Sequence, residues 1–408
     1  MRYITALAAL PFALGAPTLN TRADAAAEAA PGKYIVVLKP DAPAPAAAPA
    51  TGPGIMSTSA VAAAEKTHIY GVGNFKGFAA SLTSVQLAAL QADSTVAYIV
   101  TDKREAHTMD VSAADQAQWG RITSQANATW GLARISHRDA GTTEYRFAAS
   151  AGAGTCAYIV DTGVYAEHPE FEGRATFLKN FATTATTDDN GHGTHVSGTI
   201  GSKTYGVAKK TKLFGIKVLD EYGYGAWSDI IAGIQYAVED SKNRTEECPN
   251  GYVANMSLGG PRNQALNDVV KEAVEAGIFF AVAAGNEAVN TDASSPSSEP
   301  TAFTVGATDY QDQITSFSNY GWLVDGFAPG LDIESTWIGG PTATNIISGT
   351  SMASPHMAGL AAYLQGVYGQ QDPAALALRI KSMSTVGKVK NIFPNTGTPN
   401  LLAFNGAL

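Results

Sequence analysis

Four residues in this 408-residue chain have the types and contexts needed for nucleophilic catalysis. Ser351 lies in Gly349-Thr350-Ser351-Met352-Ala353-Ser354-Pro355-His356, a turn of small residues that leads into a long apolar helix. That helix is almost entirely Ala, Leu, Met and Gly through Leu364, which predicts burial rather than an amphipathic face. A serine at its start sits where backbone N–H groups lack helical acceptors and where the helix dipole favours negative charge. Pro355 is expected in the first turn, where its missing N–H removes no helical bond. The other three residues are Asp161, His192 and Asn286. They stand in Asp161-Thr162-Gly163, in Asn190-Gly191-His192-Gly193-Thr194-His195 and in Ala283-Ala284-Gly285-Asn286. The chemistry that combines these types is acyl transfer. A serine hydroxyl becomes a useful nucleophile when an imidazole such as His192 takes its proton near neutral pH. A carboxylate at Asp161 would hold the imidazole tautomer and stabilise the imidazolium. The Asn286 amide and the Ser351 backbone N–H would stabilise an oxyanion. Each residue alone would more often be a cap or a turn residue. Four such contexts in one consistent order reverse that judgement.

The elements that must position these residues are legible as alternating strands and helices. Thr155–Val160, Leu213–Leu219, Tyr252–Leu258 and Ile278–Ala284 are continuous apolar runs that predict buried strands, with Thr304–Ala307 as a further one. Helical spacing is expected over Val196–Ser202, Trp227–Asp240 and Ala265–Ala276. This alternation predicts an α/β fold, a mostly parallel sheet with helices on both faces. Sites in such sheets gather at the carboxyl ends of strands.

A separate small unit precedes it. Lys33–Leu38, Ile69–Phe75, Gly77–Leu82 and Val96–Val100 read as strands, and Ser57–Thr67 and Ser84–Gln91 as helices, with a Pro/Ala linker over Pro40–Gly54. The order βαββαβ predicts a ferredoxin-like α+β domain. Thr101 to about Gln125 is polar and aperiodic and reads as an exposed linker.

At the start, Met1-Arg2 is followed by an apolar run from Ile4 to Leu14 and by Gly15-Ala16, the pattern of a secretory signal peptide over residues 1–16. Residues from about Pro17 to Gly32 are rich in Ala, Pro and Thr. No stretch is long and apolar enough to predict a membrane span. A net charge of −9 without a basic stripe argues against a nucleic-acid partner. The two cysteines, Cys156 and Cys248, predict one disulfide in a secreted protein, contributing roughly 4–5 kcal/mol in the chain-entropy model. Among the three Asn-x-Ser/Thr sequons, Asn127 and Asn243 are glycosylation candidates. Asn255 lies in a predicted buried strand and is not.

The Asp, His, Ser order is that of subtilisin. The chain resembles subtilisin-like serine proteases, and specifically the proteinase K branch of secreted fungal enzymes. Further stretches that carry the resemblance include Trp130-Gly131-Leu132-Ala133-Arg134-Ile135-Ser136, His168-Pro169-Glu170-Phe171-Glu172-Gly173-Arg174, Ser257-Leu258-Gly259-Gly260 and Ser316-Phe317-Ser318-Asn319-Tyr320-Gly321. The resemblance implies a secreted endopeptidase with Asp161, His192 and Ser351 as triad and Asn286 as oxyanion donor. It also implies that residues 33 to about 108 form an inhibitory pro-domain within a propeptide over 17–121, followed by a peptidase domain over 122–408. Counting from the last pro-domain strand puts the cut near Met109, and counting back from Trp130 puts it near Ile122; the later boundary is favoured.

Peptide substrate is expected to lie extended between Ser257-Leu258-Gly259 and Gly223-Tyr224-Gly225, with Ala283, Ala284 and Gly285 lining the first pocket. Small residues there predict a roomy apolar pocket and cleavage after aromatic or aliphatic residues. Trp227 either walls a more distant pocket or packs under its helix. The resemblance implies one structural calcium on the Pro300 and Ala302 carbonyls and the Asp325 carboxylate, whose oxygens suit a hard cation. No catalytic metal or organic cofactor is expected, and the protein is expected to act as a monomer on protein and peptide substrates. Three departures stand out. Arg138 occupies a ligand position of a second calcium site, Phe303 stands where a second family disulfide would have a cysteine, and Val196 replaces a buried thiol.

Two other readings carry distinct signatures. A metalloprotease would use His192 and His195, but no His-Glu-x-x-His occurs. A secreted inhibitor or binding protein would be signalled by a degenerate triad, and this one is intact.

Overall fold

The computed structural model describes residues 32–43, 66–102, 106–108, 128–150 and 152–406. The expected signal peptide, residues 57–65 of the expected first helix, Asn127 and both candidate cleavage points, Met109 and Ile122, lie outside them.

The N-terminal unit comprises β1 (Gly32–Leu38), β2 (Lys66–Val72), β3 (Phe75–Leu82), α1 (Ser84–Gln91) and β4 (Val96–Thr101). Its strands form an antiparallel sheet in the order β2-β3-β1-β4. The turn between β2 and β3 falls at Gly73-Asn74, where Gly73 has φ +53°, so Phe75 opens β3 rather than closing β2 as expected. Helix α1 starts where the sequence predicts because Thr83 and Gln86 form a reciprocal capping box. Along β1 the side chains alternate between two cores. Val36 and Leu38 pack with Phe78, Leu82 and Leu90 inside the unit, whereas Ile35 and Val37 join the core of the larger domain.

The larger domain contains β6 (Cys156–Asp161), β7 (Ala175–Asn180), β8 (Lys212–Lys217), β9 (Tyr224–Gly225), β10 (Tyr252–Met256), β11 (Leu258–Pro261), β12 (Ile278–Ala283), β13 (Ser294–Ser295), β14 (Phe303–Thr308), β15 (Gly326–Pro329), β16 (Ile333–Thr336), β17 (Thr344–Ile347), β18 (Thr385–Val386) and β19 (Leu401–Leu402). Its helices are α2 (Trp130–Ile135), α3 (His192–Gly201), α4 (Trp227–Lys242), α5 (Gln264–Glu275), α6 (Thr350–Tyr368) and α7 (Pro373–Met383). The central sheet runs β18-β19-β15-β14-β12-β10-β6-β8-β7 and is parallel apart from the β18–β19 pair. Cys156, Tyr158 and Val160 of β6 point into the core under α4 and α5. Ala157 and Ile159 point into the core under α3 and α6. Burial on both faces explains why the strands read as continuous apolar runs.

After β6 the chain goes to the β8–β7 edge and then returns to β10 on the other side of β6. Strand order therefore reverses between β6 and β10, where α/β sheets open a crevice.

Three boundaries differ from the sequence reading in ways that shape that crevice. The expected strand over Tyr252–Leu258 breaks at Ser257, and β11 leaves the central sheet. Helix α3 begins at His192, four residues before Val196. Helix α6 begins at Thr350, so Pro355 lies inside the helix rather than in its first turn.

A fourth difference is β5 (Ala106–Thr108), inside the stretch expected to be an exposed linker. It is an inner strand of a four-stranded antiparallel sheet in the order β13-β11-β5-β9, pairing with β11 through Leu258↔Thr108 and Gly259↔His107 and with β9 through Ala106↔Gly225 and His107↔Tyr224. Its partners lie far away in sequence, and nothing local in a polar triplet announces them.

Candidate active site

Asp161 is the last residue of β6 and His192 the first of α3, and both are wholly buried. The imidazole Nδ1 lies 2.8 Å from Asp161 Oδ1, which also accepts the Thr162 N–H at 2.7 Å. A carboxylate oxygen accepts, so the ring proton on that side resides on Nδ1.

The turn before His192 is built around a carboxylate that the sequence reading missed. Asp188 Oδ1 accepts the Asn190 and Gly191 N–H groups and the Thr162 hydroxyl, and its Oδ2 accepts the N–H and hydroxyl of Thr194. These bonds satisfy N–H groups at the start of α3 and pull its beginning forward to His192. Gly191 has φ +108°, and a Cβ there would meet the Trp337 ring at 2.5 Å. At Gly193 a Cβ would stand 2.1 Å from the Gly163 carbonyl oxygen. Gly193 therefore lets the His192 helix approach the Asp161 turn, while Gly191 makes room for the Trp337 ring. The signal was present in the Asp-x-Asn-Gly-His pattern, which is Asx-turn chemistry.

Ser351 is buried in the first turn of α6, and its hydroxyl donates to the Ser257 carbonyl at 3.2 Å. Proline has no N–H, so Pro355 leaves the Ser351 carbonyl without its helical donor. The Ser257 hydroxyl supplies that donor at 2.6 Å. Ser257 is held in turn by the Asn255 amide at 2.9 Å, and Asn255 accepts the Ser354 hydroxyl at 2.8 Å. Asn255 is wholly buried and bonded here, as expected for an unmodified sequon, whereas Asn243 is exposed.

Asn286 follows β12. Its Oδ1 accepts both the N–H and the hydroxyl of Thr350, each at 2.9 Å, which fixes the orientation of the amide. The Asn286 Nδ2 is buried and has no acceptor among the described residues. An amide donor held this way beside the first turn of α6 is preorganised for negative charge. Ala283 and Ala284 are wholly buried, and Gly285 has φ +108° with its N–H donating to the Thr350 hydroxyl.

Strands β9 and β11 contain Tyr224, Gly225, Leu258 and Gly259, with Gly223 and Ser257 directly before them, so the two expected edges face one another across β5. Trp227 is buried in the core under α4. The cysteines are joined as Cys156–Cys248, with Cα atoms 5.7 Å apart.

His195 and His356 are structural in their contacts. His195 Nε2 lies 2.9 Å from the Ile333 carbonyl, so it does not converge with His192. His356 Nδ1 donates to the Met352 carbonyl at 2.8 Å, and burial pushes its ring down to about 4.

At the expected calcium position, both Asp325 oxygens have protein donors. Lys381 Nζ lies 2.6 Å from Oδ1, and the Thr304 N–H donates to Oδ2 at 2.8 Å. These residues do not fit the metal: a carboxylate already paired with an ammonium is a poor ligand for a second cation.

Comparison with known proteins bears on the whole chain. Residues 152–398 match the model of the subtilase family, and residues 33–106 match that of the peptidase inhibitor I9 family. The chain belongs to the subtilase family. It is 48% identical over 411 residues to the "Cuticle-degrading protease" of Metarhizium anisopliae, covering 98% of each chain. It is 57% identical over 245 residues to "Proteinase T" of Parengyodontium album, covering 60% of this chain and 82% of the relative. Among solved structures, a cold adapted subtilisin-like serine proteinase superposes with a TM-score of 0.63 at 39% identity, covering 69% of this chain and 99% of that one. This subtilase is thus a serine protease with the subtilisin-like fold and an inhibitor-type pro-domain, the arrangement of a zymogen. The pro-domain covers α4 and α5. Asp102 accepts the Ser228 N–H at 3.1 Å and its hydroxyl at 2.6 Å, capping α4 from the other domain, and Asn74 N–H donates to Glu272 at 2.8 Å. His68 pairs with Asp229 at 2.9 Å.

Proposed function

We propose that this subtilase is a secreted serine endopeptidase whose first substrate is its own chain. Asp161, His192 and Ser351 form the triad. His192 takes the Ser351 proton as the hydroxyl oxygen bonds to the substrate carbonyl carbon. The oxyanion is met by Asn286 Nδ2 and the Ser351 N–H. The imidazolium then gives its proton to the leaving amine as the C–N bond breaks. Water, deprotonated by His192, releases the acyl group by the reverse sequence. Asp161 holds the Nδ1 side of the ring throughout and stabilises the imidazolium.

The observation that carries this reading is β5. Ala106–Thr108 lies as an antiparallel strand between the two edges expected to hold substrate. Thr108 is opposite Leu258, the chain neighbour of Ser257, whose carbonyl accepts the Ser351 hydroxyl, and Met109 is the next residue in the sequence. The bond after Met109 is then the first one cut. Trimming to about Ile122 follows as a second step and yields the peptidase domain over 122–408. This reconciles the two boundaries and reverses the preference for the later one as the initial cut. Small side chains at Ala283, Ala284 and Gly285 favour aromatic and aliphatic residues in the first pocket, and the unbranched apolar Met109 suits it.

Secretion through the signal peptide over residues 1–16, glycosylation at Asn127 and Asn243, and action as a monomer complete the reading. Calcium at Pro300, Ala302 and Asp325 is left out of it, because both Asp325 oxygens already have donors.

The test is N-terminal sequencing and intact mass during maturation. Asp110 should appear as the first new N-terminus, and Ser351→Ala should accumulate as an uncut precursor. A first new N-terminus at Ile122 would overturn the assigned bond, and normal processing of Ser351→Ala would overturn the serine mechanism. Chromogenic peptides test specificity, where preference for Lys or Arg at the cut residue would count against an apolar pocket.

A further inference from the structure

We propose that Lys381 takes the place of the calcium ion that family resemblance assigns to Asp325, so that an ammonium on the chain itself pins the C-terminal helix and the fold does not need the metal. Asp325 lies directly before β15 and is built into the sheet, since its N–H donates to the Thr304 carbonyl while the Thr304 N–H donates to its Oδ2. The remaining oxygen, Oδ1, faces α7 and receives Lys381 Nζ at 2.6 Å.

Lys381 belongs to the last turn of α7, where a cation also complements the helix dipole. Its Nζ stands 5.8 Å from the centre of the Phe303 ring, within cation–π range. Phe303 occupies the position where the second family disulfide would have a cysteine. The two devices expected to tie down this corner, an ion and a disulfide, are therefore replaced by one lysine and the ring beside it.

Chemistry favours the lysine over the ion. Calcium takes six to eight oxygens at about 2.3–2.6 Å. Asp325 would be its one charged ligand beside two carbonyls, and an ammonium on Oδ1 would repel it. A tethered ammonium needs no recruitment from solution and no ordered shell of waters.

At the second family calcium position a cationic side chain likewise stands where a ligand would. There Arg138 donates to the Ser384 carbonyl at 2.9 Å and to the Thr385 hydroxyl at 3.3 Å. Its guanidinium lies 3.9 Å from the Phe404 ring, and Lys388 pairs with Asp139 at 2.9 Å.

Thermal unfolding of the full chain carrying Ser351→Ala, with calcium chloride or with a chelator, tests the idea. The Tm should be the same in both. Lys381→Ala should lower the Tm by roughly 2–4 °C in chelator. Added calcium should then raise it in a concentration-dependent way, because the freed carboxylate can bind the ion. That calcium response should vanish in the Lys381→Ala, Asp325→Asn double variant. Any fall in Tm on chelation of the chain with Lys381 intact overturns the proposal, as does a Lys381→Ala variant indifferent to calcium.

Discussion

His192 and His356 are the same residue type, both are buried, and they sit near the starts of two helices that pack against each other. Both use Nδ1 as a donor. His192 donates to the Asp161 carboxylate and His356 to the Met352 carbonyl. A carbonyl fixes the tautomer and holds the ring, but it carries no net charge to balance a proton. Burial consequently pushes His356 down to about 4, and it stays neutral at working pH. A buried carboxylate supplies the charge that an imidazole needs if it is to accept a proton during a reaction. Burial alone therefore does not separate an imidazole placed to accept a proton from a packed one. The atom facing Nδ1 does.

The largest effect should come from making the first site resemble the second. Asp161→Asn replaces the carboxylate by a neutral amide and should lower kcat about 10⁴-fold with the fold intact. Peptide hydrolysis with circular dichroism as a folding control checks it, and a loss under tenfold would break the comparison. Asn286→Ala removes the proposed oxyanion donor without touching either histidine. It should cost about 10²–10³-fold in kcat with little change in KM.

His356 sharpens the other side through pH. Its folded value is depressed, so as pH falls below the ordinary histidine value the unfolded chain gains a proton before the folded one does. Stability present above about pH 6.5 is lost down to about pH 4, on the order of 3 kcal/mol. Denaturant unfolding of the Ser351→Ala precursor across this range should show the loss, and His356→Gln should flatten it. Parallel pH slopes in the two proteins would sink the assignment. The smallest effect concerns the shared helix. Ser257→Ala leaves the Ser351 carbonyl, already without a helical donor because of Pro355, short of its hydroxyl partner. Roughly a tenfold fall in kcat is expected, and peptide assays with the Ser257→Thr variant as a rescue control would show it.

The parallel sheet was legible because β6, β8, β10 and β12 are buried on both faces and so read as apolar runs. The residues of the candidate site were legible as well, since each follows a strand or opens a helix in an unusual small-residue setting. What escaped were contacts made by polar groups over distance. Asp188 gathers the turn before His192, Ser257 repairs the gap left by Pro355, and β5 inserts between β9 and β11. None has a periodic signature, because a hydrogen bond to a distant backbone imposes no pattern on its own neighbours.

By itself the sequence determined the chemical types and the local geometry around them: a serine at a helix start, an imidazole after a Gly turn, a carboxylate at a strand end. Tertiary structure alone decided which carboxylate met which cation. Asp161 ends one strand and Asp325 directly precedes another strand of the same sheet. Strand order and helix packing bring an imidazole 31 residues away to the first and an ammonium on α7 to the second. Charge pairing depends on separations of a few ångströms, and those are set by the register of the sheet and the placement of α3 and α7, not by the spacing of residues along the chain.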